Sequence, residues 1–204
     1  MKPYVIAMTG ASGSLYGVRL VQVMAEMGFL IELIISDPAK LVLREELKIP
    51  VQGLVREEDL LEVFGPGVKG RVHPHSPKDF TAPVASGSYP TAGMVIIPCS
   101  MGSLGAIASG ISQNLIHRAA DCTIKEGRKL VLVPRETPLS AIHLENMLKL
   151  ARLGVSIVPA MPGFYSSASS LQDMADFMVG KVLDQLGIEH ALYPRWTGPV
   201  KVNA

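Results

Sequence analysis

Three short segments bring hydroxyl-bearing and small residues directly behind apolar runs: Thr9-Gly10-Ala11-Ser12-Gly13-Ser14, then Ser36, then Cys99-Ser100-Met101-Gly102-Ser103. Small residues let backbone N–H groups close on an anion, hydroxyls add donors, and the positive end of a following helix favours a phosphate. Each segment taken singly also reads as an ordinary turn and helix cap. If all three meet at one edge, the ligand that suits them is phosphorylated. Glycines at 10, 13 and 17 do not make GxGxxG, and Asp37 comes late for a ribose-binding carboxylate, which disfavours NAD.

Two later segments bring charge and an aromatic hydroxyl: Pro134-Arg135-Glu136, and Pro159 through Pro162, Gly163, Phe164 and Tyr165. Arg118 and Lys125, seven residues apart, share one face of a predicted helix, with Asp121 three residues from Arg118. That spacing fits a solvated salt-bridge ridge and also a second phosphate site. Glu46, within Arg44-Glu45-Glu46, is by default a surface carboxylate. His73 and His75 alternate in a predicted loop without a convincingly spaced third ligand, so no metal site is expected. His143 falls in the apolar arc of its helix as a hydrogen-bonded interface histidine. Ser140 shares its face, but there is neither a third partner nor a nucleophile elbow for a hydrolase.

The elements that must position these residues alternate. Tyr4–Met8, Phe29–Ile35, Met94–Ile97, Leu130–Val133 and Val155–Val158 read as strands, with helical patterns between them. Continuous apolar strands are buried on both faces, which predicts an α/β fold with a doubly wound parallel sheet in three layers, α/β/α. Ligands of such a sheet bind beyond the carboxyl ends of its strands, where all the segments above lie. Residues 65–93, rich in Gly, Pro and Ser, are expected to form a long loop, and 187–204 a C-terminal tail. The helix after Thr137 is expected to be capped by Thr137, to begin with Pro138 and to end at Gly154. Its apolar residues cover roughly two-thirds of the circumference, more than one sheet can bury, which predicts a helix-mediated homo-oligomer.

Composition agrees. The 204 residues suit a single domain. Apolar residues make up 48% and charged ones 18%, which favours self-association. A net charge of +1 with scattered cations argues against nucleic acid. Cys99 and Cys122 form no CxxC and are expected in the core of a cytoplasmic protein. No apolar run suits a signal-peptide core, and none approaches the roughly 18 residues of a membrane span.

Together, TGASGSLYG at 9–17, PVASGS at 83–88, IPCSMGSL at 97–104, NLIHRAADCTIKE at 114–126, LVLVPRETPLSAIHLENMLKLARLG at 130–154 and PAMPGFY at 159–165 closely resemble the UbiX-type flavin prenyltransferases. The resemblance implies a Rossmann-like, flavodoxin-type fold and a homo-oligomer, commonly a dodecamer, with FMN held at subunit contacts. It implies a metal-independent transfer of a dimethylallyl group from dimethylallyl monophosphate to N5 and C6 of reduced FMN. The prenylated FMN would serve a UbiD-type decarboxylase. By the resemblance, Gly10, Ala11, Ser12, Ser36, Ser100, Met101, Gly102, Ser103 and Arg135 are FMN-binding positions. Arg118, Lys125, Glu136, Tyr165 and Ser86 surround the isoprenoid phosphate or its chemistry. Glu46 is the acid–base carboxylate, and Ser12 the hydroxyl near the reacting flavin edge. Lys181 stands where Arg is common and Phe80 where Trp is common; Lys keeps the charge without the bidentate fork, and Phe keeps an apolar ring. Two other readings are a flavin-dependent cysteine decarboxylase, whose PxMNxxMW-like segment and early catalytic His are missing, and a non-catalytic FMN-binding assembly subunit.

Overall fold

The computed structural model describes residues 1–48, 57–163, 169–196 and 198. Its elements run β1 (Tyr4–Met8), α1 (Ser14–Glu26), β2 (Ile31–Ile35), α2 (Asp37–Leu47), α3 (Glu57–Phe64), β3 (Val72–His75), β4 (Gly93–Cys99), α4 (Met101–Ala108), α5 (Leu115–Lys125), β5 (Leu130–Pro134), α6 (Ala141–Arg152), β6 (Ser156–Ile157) and α7 (Leu171–Leu186). The six strands form one parallel sheet in the order β3-β2-β1-β4-β5-β6. β1, β2, β4 and β5 are apolar almost throughout and buried, because helices cover both faces. Leu20, Met24, Leu60, Phe177 and Leu183 cover one face from α1, α3 and α7. Leu104, Ile116 and Leu150 cover the other from α4, α5 and α6. Chain order reverses between β1 and β4, which places the switch-point crevice at the carboxyl ends of those two strands.

All five strands expected from sequence are present, with shifted ends: the second begins at Ile31, the third extends to Cys99, and the last shrinks to Ser156–Ile157. Those five alone have the flavodoxin order. The sixth strand, β3, lies inside the 65–93 segment expected as one loop, together with 3-10 turns at Pro66–Val68 and Pro83–Ala85. Its sequence, Val-His-Pro-His, shows no apolar run, and a proline is tolerated because the strand lies at the sheet edge.

α6 starts later than expected. Ser140, not Thr137, is its N-cap, in a reciprocal box: the Ser140 Oγ accepts from the His143 N–H at 3.2 Å, and His143 Nδ1 accepts from the Ser140 N–H at 3.2 Å. Thr137-Pro138 lies in the approach, its peptide bond cis. His143 therefore serves helix initiation, which disposes of the Ser–His pair as chemistry. Gly154, at φ 83°, ends the helix as expected. Ile142, Leu144, Leu148 and Leu153 remain exposed on one protomer. Cys99 and Cys122 are both free and buried, and burial pushes the Cys99 thiol up to about 12. No helix among the described residues is long and apolar enough to cross a membrane.

Candidate active site

The loops at the switch point are tied together by the Thr9 side chain and by backbone hydrogen bonds. The Thr9 hydroxyl donates to the Pro98 carbonyl at 3.0 Å and accepts from the Ser100 N–H at 2.7 Å, tying the β1 loop to the β4 loop. The Ser36 N–H donates to the Met8 carbonyl at 3.0 Å, and the Arg135 N–H to the Cys99 carbonyl at 3.3 Å. Gly10 lies so close to α2 that a Cβ there would come 2.5 Å from Pro38 Cβ. Gly10, Ala11, Ser12, Ser36, Ser100–Ser103 and Arg135 thus line one edge, as expected.

Ser36 and Ser100 are also helix caps: their hydroxyls accept from Ala39 N–H and Ser103 N–H at 3.2 and 3.3 Å. The plain and the functional readings of those serines coexist, since a cap leaves other N–H groups of the first turn pointing outward. At Gly102 a Cβ would meet nothing within 4 Å, so the first turn of α4 faces open space. Small residues, hydroxyls and the exposed Arg135 fit a phosphate here.

The start of α1 has a different occupant. Its N-cap, Gly13, has no side chain to offer. Glu46 reaches over from α2 and accepts from Gly13 N–H at 3.1 Å to each carboxylate oxygen and from Ser14 N–H at 2.8 Å. Burial alone pushes the Glu46 carboxyl up, but the Ser12 hydroxyl and the Ser14 and Gly13 backbone donors together hold it below the ordinary carboxylate range. The two residues expected to share the reacting edge, Ser12 and Glu46, therefore meet, and the α1 end that suited a phosphate in the sequence already holds an anion.

Tyr16, in the first turn of α1, is a residue that the motifs alone do not single out. Burial raises its phenol, Arg135 opposes this and Glu46 adds to it, so the ring stands within electrostatic reach of both. Its place inside TGASGSLYG was the available signal.

Farther along the same edge, Arg135, Glu136, Met147 and Met161 line a cavity of about 70 Å³. Beside it, sharing Pro159 and Met161, lies a larger open cavity of about 530 Å³ lined by Phe177, Met178 and Lys181. Glu136 and Lys181 thus border adjoining hollows. Phe80 is exposed, two residues from Lys78, whose ammonium pairs with Asp37 at 3.5 Å beside Ser36. Tyr165 lies outside the described residues.

Arg118, Lys125 and Ser86 do gather, but elsewhere. Arg118 Nε donates to the Ala85 carbonyl at 2.9 Å and its guanidinium pairs with Asp121 at 3.0 Å. Lys125 pairs with Glu126 at 2.5 Å, and the Gly87 backbone lies against that pair. The neighbouring Arg128 holds the Gly87 and Tyr89 carbonyls at 2.6 and 2.8 Å, and the Lys129 carbonyl accepts from Met94 N–H at the start of β4. Lys125 therefore lies toward the amino edge of the sheet, opposite the switch point. Within one chain this cationic group and the Ser12–Glu46 pair are not brought together.

His73 and His75 stand on β3 rather than in a loop. His75 Nε2 lies 2.6 Å from Oε2 of the buried Glu32, whose other oxygen accepts from the Tyr89 hydroxyl at 2.6 Å. Among the described residues, no group of three or more His, Cys, Asp or Glu is arranged to hold a metal.

Comparison with known proteins decides the family. Residues 1–183 match the model of the flavoprotein family. The flavin prenyltransferase UbiX of Halalkalibacterium halodurans is 54% identical over 193 residues, 95% of this chain and 92% of the relative. The chain belongs to the flavoprotein family, in its UbiX branch. Another UbiX relative, from Methanothermobacter thermautotrophicus, is 50% identical over 97% of both chains. Among solved UbiX structures, one described as AnUbiX (PadA1) with FMN and dimethylallyl pyrophosphate superposes with a TM-score of 0.86 at 37% identity, covering 98% of this chain and 99% of that one. A dodecameric FMN-dependent UbiX-like decarboxylase from Escherichia coli O157:H7 gives 0.84 at 44% identity, covering 97% and 100%. The peptidyl-cysteine decarboxylase EpiD, at 14% identity and a TM-score of 0.58, shares the fold alone.

Proposed function

We propose that this chain is a UbiX-type flavin prenyltransferase, joining dimethylallyl monophosphate to N5 and C6 of reduced FMN, and that the product serves a UbiD-type decarboxylase in the cytoplasm. The observation that carries the site assignment is the contact of Ser12 and Glu46 at the switch point, beside serine-rich helix ends and Arg135.

Ser36, Ser100, Ser103 and Arg135 would hold the FMN phosphate, with Gly10, Ala11, Met101 and Gly102 permitting close approach. Since Glu46 occupies the α1 end, a phosphate there would repel it, which favours the Ser36–Ser100 side for the phosphate and leaves Ser12 and Glu46 to the ring. Reduced FMN supplies the nucleophilic ring positions. Breaking the allylic C–O bond would leave positive carbon and a departing phosphate; cations and hydroxyls would hold the phosphate while apolar and π surfaces shelter the carbon. Lys181 and Glu136 border the adjoining cavities where that phosphate would leave, with Phe177 and Met178 as apolar shelter for the allyl group. Bond formation at C6 would release a ring proton, and we assign Glu46, ionised and held at two N–H groups, as the base that would take it.

Arg118, Lys125, Ser86 and Tyr165 are assigned to the substrate phosphate. Because Lys125 lies at the opposite edge of its own sheet, we place it in the site of a neighbouring copy. The exposed apolar face of α6 supports a homo-oligomer, and we propose a dodecamer. The test is anaerobic incubation with photoreduced FMN and dimethylallyl monophosphate, followed by mass measurement of the extracted flavin. A gain of one five-carbon unit supports the reading; bound FMN of unchanged mass refutes it.

A further inference from the structure

α7 ends at Gly187 in the left-handed conformation, φ 74°, and the chain turns back along the helix as a strap over residues 188–196. Gly180 makes room for it: a Cβ there would come 2.5 Å from the Tyr193 ring and 2.6 Å from His190. The Tyr193 ring lies 4.9 Å from that of Phe177, and the His190 side chain is 2% exposed.

The strap closes on one carboxylate. Asp184 accepts from the Tyr193 hydroxyl at 2.9 Å and from both terminal nitrogens of Arg195 at 2.8 and 2.7 Å, with His190 Nε2 at 3.2 Å. The Arg195 guanidinium also lies over the Tyr193 ring, 5.0 Å from its centre. One turn before Asp184, Lys181 stands 3.8 Å from the same carboxylate. Two cations thus share one acid, and Arg195 holds it bidentately, the stronger geometry. Lys181 is left at the margin of the pair, facing the cavity it lines with Phe177 and Met178.

We propose that Arg195, by saturating Asp184, is a positioning residue that keeps the Lys181 ammonium available to the phosphate of the allylic substrate. Without Arg195 the freed carboxylate draws Lys181 into a close pair and out of the cavity. This rests on the assignment of Lys181 to that phosphate.

Steady-state kinetics with reduced FMN and varied dimethylallyl monophosphate test it. Losing a charged hydrogen bond to phosphate predicts that Arg195→Gln raises KM about tenfold, with kcat and FMN affinity within about twofold. Asp184→Asn with Arg195→Gln returns KM to within about twofold of the parent, since nothing then competes for Lys181. In a Lys181→Met background, itself raised in KM, adding Arg195→Gln changes nothing further. A KM unaffected by Arg195→Gln, or an effect that persists without Lys181, overturns the proposal. If Lys181→Met leaves KM unchanged, the assignment beneath it fails, and the proposal with it. Should Arg195→Gln not fold, as judged by thermal melting, Asp184→Asn alone decides: KM at or below the parent value supports the proposal, and a severalfold rise overturns it.

Discussion

Replacing Glu46 by Gln separates two duties of one carboxylate. The first is structural. Gly13 cannot cap α1, so the Glu46 oxygens take the Gly13 and Ser14 N–H groups at 3.1 and 2.8 Å. An amide of the same shape keeps one acceptor oxygen and loses the negative charge at the helix end. Exposed charges at such ends contribute about 0.3–1 kcal/mol. Because Glu46 is solvent-exposed, screening holds the whole effect to about 1 kcal/mol, or roughly 2–4 °C in Tm for a chain of this size. The second duty is catalytic. A positioned base contributes about 10²–10⁴ in rate, and the Glu46 carboxyl, held below its ordinary range, is in its basic form at neutral pH. Rapid-quench single turnovers under anaerobic conditions should therefore slow by about two orders of magnitude or more, with FMN affinity nearly unchanged. A lowered Tm with an unchanged single-turnover rate would leave Glu46 a cap and refute its role as base.

Glu32 sets an acid limit. Burial pushes its carboxyl up, yet the hydrogen bonds from His75 and Tyr89 together hold it below the usual range. A depressed carboxylate stabilises the fold above its unfolded value and loses that contribution as pH falls through the folded one, so urea midpoints should drop below about pH 4.5. Glu32→Gln should flatten that fall, and an unaltered profile would show that other groups control it. Gly17→Ala should destabilise by about 1–3 kcal/mol, because the new Cβ would come 2.5 Å from the Ile97 carbonyl oxygen and 2.6 Å from Met8 Cε; a thermal melt matching the parent would contradict this. Co-assembling Glu46→Gln subunits with Lys125→Ala subunits should restore part of the activity that each lacks alone, because some sites then receive both native residues. Mixtures no better than the separate variants would place both residues in a site made by one chain.

The sheet was readable because β1, β2, β4 and β5 are apolar runs ending in small or charged residues, and those ends are where the site lies. Ser36, Ser100 and Arg135 could be placed by that rule alone. β3 could not, since Val-His-Pro-His carries neither alternation nor a run, and its place is set by pairing with β2. The Glu46–Gly13 contact spans 33 residues, and spacing within Arg44-Glu45-Glu46 says only that the carboxylate is on a helix surface. For α6, Thr137 and Ser140 both have capping side chains; the reciprocal bond from His143 selects Ser140. Arg118 and Lys125 do share a helix face, as their spacing required, but which edge of the sheet that face serves depends on the path of 76–92 across α5. The strap on Asp184 draws together residues of types common in any surface segment, and Gly180, bare under Tyr193 and His190, is its one mark in the sequence.

The most direct measurement is NMR of the flavin from a single turnover with ¹³C-labelled dimethylallyl monophosphate. Two new bonds, from labelled carbon to N5 and to C6 of one flavin, are the predicted outcome. Label recovered only as unreacted phosphate ester or free alcohol, with the flavin unlabelled, would contradict it.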